Sequence, residues 1–228
     1  MKEFLGLSRT IQDVNLIELQ DDFLGGVATS TIGQLNWVET NSAAGTNVLQ
    51  ASVLNHHGIL RIVTGAVSGN NKRLHLGTLA SSPTFTPSGF DRYQWVVSIP
   101  TITTITVRVG LMQDISAASG GTAGAYFEFD PSGSANWRTV TRQASVSTGP
   151  TDTTIAVTAG NWYLLEARRE ASGNWVFSVN GTVRTTHSTN QPTSDCAFGV
   201  LCQTGAAAAR NIDLDLCYVR GNRGQLWT

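Results

Sequence analysis

The sequence predicts an all-β fold: a single jelly-roll-like antiparallel β-sandwich preceded by a short N-terminal arm. Three observations carry this. Residues 161–181, NWYLLEARREASGNWVFSVNG, hold two runs with the period of a strand. In the first, Tyr163, Leu165 and Ala167 alternate with Trp162, Leu164 and Glu166; in the second, Trp175, Phe177 and Val179 alternate with Val176 and Ser178. Similar segments recur almost to the C-terminus, and no long helical stretch interrupts them. The connections between them are rich in Gly, Ser, Thr and Pro, as at 68–71, 81–89, 116–124 and 145–152.

Strands are expected at 34–39, 58–64, 72–79, 90–99, 103–112, 124–130, 136–144, 152–158, 161–170, 174–180, 182–187, 196–203 and 211–220. Over 103–112, Ile105, Val107, Val109 and Leu111 face one way and Thr104, Thr106, Arg108 and Gly110 the other. Over 211–220, Ile212, Leu214, Leu216 and Tyr218 are placed inside, with Asp213 and Asp215 opposite. This is the alternation of a sheet with one packed and one solvated face. Asn180-Gly181 supplies the positive φ angles of a two-residue hairpin turn, and the glycosylation-like Asn180-Gly181-Thr182 is read as that turn. With no linker and no strong repeat, one sandwich over 21–228 is favoured over two domains.

Residues 1–20 break the pattern. Phe4, Leu5, Leu7, Ile11, Val14, Leu16 and Ile17 show no clear strand alternation, and Phe4, Leu7, Ile11 and Val14 suit one face of a short helix or an extended arm. They are read as a partner-binding arm whose apolar side chains are covered on attachment. At the other end, Leu226 and Trp227 lie beyond the last expected strand and are read as self-association residues.

Only 14% of the 228 residues are charged and the formal net charge is −1, which gives no long-range attraction for nucleic acid or an anionic membrane. No apolar run reaches membrane-spanning length. The N-terminus carries acidic interruptions rather than an unbroken apolar core, so the expectation is a protein made in the cytoplasm and not secreted by a signal peptide. Cys196 and Cys202 share parity with Phe198 and Val200 and read as reduced core thiols, whereas Cys217 has the parity of Asp213 and Asp215.

Candidate chemistry is sparse, and neither a cofactor nor a metal is expected. Glu128 and Asp130 share one strand face with Tyr126. Glycosidases need two carboxylates about the scissile bond. Jelly-roll glucanases of the laminarinase type are similar here, with a Glu-x-Asp-x-Glu run, but this chain has Ser132 at the third position. A non-enzymatic protein is therefore expected. Adjacent His56 and His57 would point to opposite faces of a strand and cannot jointly hold a metal, and Asp213 with Asp215 falls short of the six or so oxygens calcium takes. Of the tryptophans, Trp95 and Trp175 read as core, while Trp137 and Trp162 are the candidates for a platform stacked on a sugar ring.

An ordered set of segments carries a family resemblance. It opens with Asp21-Asp22-Phe23-Leu24-Gly25-Gly26 and Ile32-Gly33-Gln34-Leu35-Asn36-Trp37, followed by Asn55-His56-His57-Gly58-Ile59-Leu60-Arg61 and Leu74-His75-Leu76-Gly77. Val107-Arg108-Val109-Gly110-Leu111-Met112, Ala125-Tyr126-Phe127-Glu128-Phe129-Asp130 and Asn136-Trp137 come next. Asn161-Trp162-Tyr163, Phe177-Ser178-Val179-Asn180-Gly181 and Ile212-Asp213-Leu214-Asp215 complete it. Over roughly 21–221 the chain resembles the concanavalin/laminin-G-like sandwich module of tailed-bacteriophage structural proteins. The resemblance implies a virion component, a capsid decoration or surface fibre protein held by its arm to capsid or tail proteins, and a homo-oligomer, by analogy a trimer. The alternative is a carbohydrate-binding, receptor-recognition module with glycan contacts at Tyr126, Glu128, Asp130, Trp137 and Trp162; a glycoside hydrolase is the remote one.

Overall fold

The computed structural model describes residues 16–24, 27–28, 31–42, 45–76, 85–114 and 121–222. In chain order its strands are β1 (Leu16–Asp21), β2 (Val27–Ala28), β3 (Thr31–Ile32), β4 (Val38–Asn41), β5 (Thr46–Leu49) and β6 (Leu60–Val63). Then come β7 (Asn71–Leu76), β8 (Phe90–Ser98), β9 (Ile105–Met112), β10 (Gly124–Phe129), β11 (Asn136–Gln143) and β12 (Val146–Ala156). The last are β13 (Trp162–Arg169), β14 (Trp175–Val179), β15 (Thr182–His187), β16 (Ala197–Thr204) and β17 (Asn211–Asn222).

They form the expected two-layer sandwich. An eight-stranded sheet runs β15-β14-β13-β8-β17-β6-β5, with β1 also on β17, and a seven-stranded sheet runs β12-β11-β10-β9-β16-β7-β4. Every pairing is antiparallel. The long β17 takes β6 along its first part and β1 along its second, while β8 covers its other edge.

Between the layers lies one apolar core centred on stacked and tilted aromatics. Trp95 sits 5.3 Å from Trp37 and 5.2 Å from Phe198, and Phe127 meets Phe177 edge-on at 5.2 Å. Burial of such rings is the main stabilising term for a sandwich of this kind. Asp21, an acid buried in the core, is fully compensated. Its carboxylate accepts from Phe23 N (2.8 Å), Leu35 N (3.0 Å) and the Trp37 indole N–H (2.9 Å), so the charge is not left bare.

The hairpin from β14 to β15 is as read: Asn180 and Gly181 take φ of 51° and 77°, and Val179 pairs with Thr182. Strands β2, β3 and β5 fall outside the expected set, and three further features differ from the sequence reading. First, Leu16 and Ile17 are strand residues, paired with Asn222 and Gly221, so the sheet begins before Asp21. The remaining arm residues, Phe4, Leu5, Leu7, Ile11 and Val14, lie outside the described residues, as do Leu226 and Trp227. Second, β12 starts at Val146, inside the stretch read as a loop; it is an edge strand of mostly exposed Ser and Thr, without apolar alternation to announce it.

Third, β17 carries a bulge. Leu214 pairs with Val97 and Leu216 with Val96, leaving Asp215 as an extra residue. The parity therefore flips: Ile212 and Leu214 are buried before the bulge, Cys217 and Val219 after it. Cys217 is thus a core thiol, and Leu216 and Tyr218 turn outward. Desolvation raises the pKa of all three thiols, Cys196, Cys202 and Cys217, which keeps them unreactive. Among the described residues no helix is long and apolar enough to cross a membrane.

Candidate functional site

The registers of the eight-stranded sheet place Trp162, Ser98, Asp213, Arg61 and Val48 side by side on five neighbouring strands. The row lies on the outer face, because the residues next to it, Tyr163, Val97, Leu214 and Leu60, are all in the core. Arg61 grips Asp213 with both arms of its guanidinium: Nε donates to Oδ1 (2.6 Å) and Nη2 to Oδ2 (2.7 Å). That pairing, chiefly its hydrogen bonds, raises the Arg61 pKa against the opposing effect of burial, so the guanidinium stays charged.

The loop between β5 and β6 folds over one end of the row. Val53 and His56 exchange two backbone hydrogen bonds of 2.9 Å around Leu54 and Asn55, with Asn55 at φ 69°. Asparagine adopts that left-handed geometry more readily than most residues. The turn lays the His56 imidazole flat on the Trp162 indole, at 4.1 Å between centroids and 17° between planes. His56 Nδ1 lies 2.8 Å from Asp215 Oδ2, so the bulge residue of β17 orients the ring. Between loop and sheet is a cavity of about 400 Å³, walled by Trp162, Arg61, Asp213, Ser98, Gln50 and Ile59 among others. It combines one aromatic wall with hydroxyl, amide, guanidinium and carboxylate groups, the mixture suited to a polyhydroxylated ring.

The other candidates named from sequence lie elsewhere. Trp137 is fully buried between the sheets, 5.9 Å from Phe129 and 6.0 Å from Tyr163, and offers no platform to a ligand. Its flanking Asn and Arg face outward on alternate positions, which is what made it look exposed in sequence. Tyr126 does lie on the outer face of the seven-stranded sheet with Glu128, but it is only 2% exposed, packed with Met112, Val140 and Leu201. Burial raises its phenol pKa. Glu128 is buried between two guanidiniums, accepting from Arg108 Nε (2.8 Å) and Arg138 Nη2 (2.9 Å), one on each oxygen.

Asp130 shares Arg138 with Glu128, its Oδ2 3.8 Å from Nη2, while its Oδ1 accepts from Ser132 N (3.0 Å) and Ser132 Oγ (2.7 Å). It lines a second cavity of about 450 Å³ with Thr103, Thr104, Thr106 and Ser132, which has no aromatic ring. Asp213 and Asp215, the calcium alternative, are each bound to a basic side chain, and among the described residues no three His, Cys, Asp or Glu side chains converge on a metal position. Of the five expected glycan contacts, then, only Trp162 stands in a cleft with an aromatic face and polar neighbours. Its partner His56 carried no sequence signal beyond a histidine in a loop.

Comparison with known proteins gives the fold and a family. The structure of SO2946 from Shewanella oneidensis MR-1, a protein of unknown function, superposes with a TM-score of 0.67 at 16% identity, over 91% of this chain and 87% of that one. The carbohydrate recognition domain of Emp47p gives 0.57 at 13% identity, over 92% and 98%. The β-glucanase of Bacillus licheniformis gives 0.55 at 10% identity, over 89% and 97%. At such identities these likenesses speak for the concanavalin-like sandwich alone. No curated protein matches the chain significantly. Nothing in these comparisons favours the virion role that the resemblance implied. The SO2946-like, C-terminal domain profile matches residues 55–215, most of the chain, and the protein belongs to that family.

Proposed function

We propose that this protein is a non-catalytic carbohydrate-binding sandwich whose ligand sits in the Trp162 cleft. One observation carries the reading: an aromatic wall and an arginine-carboxylate pair are fixed in a single cross-strand row at the mouth of a cavity large enough for a sugar residue. A sheet-borne row is rigid before ligand arrives, so little ordering entropy opposes binding. The fold is shared with a carbohydrate recognition domain and with a glucanase, which makes a glycan the natural ligand class to test. The engagement of the opposite sheet's carboxylates, Glu128 by two arginines and Asp130 by Ser132 and Arg138, supports the non-catalytic reading.

A glycan array probed with the wild-type chain and with Trp162→Ala tests this. Retention of a defined glycan set by the wild type, lost in Trp162→Ala, supports the reading. No retained glycan, or retention unaffected by the substitution, overturns it. A reducing-sugar assay on the retained glycans should show no release; release abolished by Glu128→Gln would reverse the non-catalytic assignment.

A further inference from the structure

At one side of the sandwich the outermost strands of the two sheets, β4 and β5, face each other, and three side chains meet there. Glu39 of β4 accepts from the ammonium of Lys72 on β7 through Oε1 and from the amide of Asn47 on β5 through Oε2. Lys72 is 1% exposed. Room for its stem is made by Gly45, where a Cβ would fall 2.5 Å from Val63 O and 3.2 Å from Lys72 Cδ. The Asn47 carbonyl oxygen Oδ1 is buried and has no hydrogen-bond partner. As a set of separate groups this is costly: a buried lysine charge and an unsatisfied amide oxygen in one spot.

An intramolecular amide exchange needs an amine, an amide and a carboxylate to carry protons between them, and all three meet here. The amine that would attack and the nitrogen that would leave are bonded to the two oxygens of one carboxylate, and the carbonyl is held by nothing else. We propose that Lys72 and Asn47 are joined by an isopeptide bond formed by the folded protein itself, with Glu39 as the proton carrier.

Glu39 takes a proton from the Lys72 ammonium at Oε1, which replaces a buried ammonium and its half-buried carboxylate partner by a neutral amine and a neutral acid. The Nζ lone pair attacks Asn47 Cγ, and the carbonyl π pair moves onto Oδ1. Glu39 delivers its proton through Oε2 to Nδ2 and takes the second proton from Nζ. The carbonyl reforms as the Cγ–Nδ2 bond breaks, and the departing ammonia carries off the last proton as ammonium, restoring the Glu39 carboxylate. One C–N bond replaces another, so no oxidant, cofactor or energy source enters. Holding the reactants in place supplies the rate. The product ties β5 to β7 across the two layers, at the edge closed by the four-residue strands β4 and β5. This inference is independent of the glycan reading.

Intact mass of the purified full-length chain decides it. After allowance for initiator-methionine removal, the wild type is expected to be lighter than its sequence by one ammonia, and a proteolytic map should contain a branched peptide joining Lys72 to Asn47. Lys72→Met, Asn47→Ala and Glu39→Gln should each carry the full sequence mass. Asn180-Gly181 can also lose ammonia by closing a succinimide, but that loss would persist in Lys72→Met. A wild-type mass equal to the sequence, an ammonia loss that persists in Lys72→Met, or a branch from Lys72 to another residue such as Asn41, overturns the proposal whether or not any variant folds.

Discussion

The His56 imidazole rests on the Trp162 indole at 4.1 Å, held there by Asp215. The stack fixes the indole's orientation before a ligand arrives. Aromatic pairs contribute about 0.5–1.5 kcal/mol beyond burial, so His56→Ala should weaken glycan binding roughly 2- to 10-fold while Trp162→Ala removes it. Titration calorimetry on a glycan retained by the wild type measures both. Equal affinity in wild type and His56→Ala would show that the stack does not position Trp162.

Trp137 separates a core role from a surface role. Buried against Phe129 and Tyr163, it should cost about 3–5 kcal/mol when changed to Ala, with glycan affinity of the folded fraction unchanged. Urea denaturation gives the first quantity. A small stability loss with abolished binding would return Trp137 to the ligand site.

His187 makes stability depend on pH. It is 2% exposed between the sheets, with Nε2 3.0 Å from Thr139 Oγ1 and Nδ1 3.0 Å from Thr141 Oγ1, and desolvation lowers its pKa. A lowered folded pKa means the unfolded chain takes the proton first. The neutral ring's contribution is complete above the unfolded pKa of about 6.5 and is lost as pH falls below it, at up to about 1.4 kcal/mol per pH unit. Melting temperature should therefore drop between neutral and mildly acidic pH. His187→Gln should be less stable at neutral pH but show a shallower drop; an unchanged slope would assign the acid sensitivity elsewhere.

The first described strand gives a paired truncation. A chain beginning at Leu16 keeps β1 on β17, with Ile17 and Leu19 packed against the core; one beginning at Asp21 loses both. The shorter chain should melt cooperatively but be less stable by on the order of 2 kcal/mol, from lost apolar burial. Identical melting of the two would show that β1 adds nothing to the sandwich.

Much of the fold was legible because its strands alternate. Tyr163, Leu165 and Ala167 face the core as period two requires, and Asn180-Gly181 turns the chain as its φ angles demand. Trp137 was misread because its outward neighbours Asn136 and Arg138 are polar and the inward row beside it offers little contrast. Thr139 and Thr141, inward on the same strand, meet His187 across the layers, so the inward row does not look apolar. Strand β12 hid in Ser, Thr and Pro because its partners see mostly its backbone. The cleft was half legible: the outward parity of Trp162 singled it out, but its pairing with His56 comes from sheet register and a loop fold, which join distant parts of the chain.

The extra residue in β17 also sets how that strand can vary in length. Asp215 separates two stretches that count in opposite phase, Ile212 and Leu214 inward before it, Cys217 and Val219 inward after it. Removing that single residue would let Leu216 follow Leu214 in the outward position it already holds, so the strand would pair without a bulge and Cys217 and Val219 would stay inward. It would also take away the carboxylate that aims His56 at Trp162. The extra residue is thus spare to the core and needed by the cleft, so replacing its side chain and deleting it should both spare the sandwich and release His56.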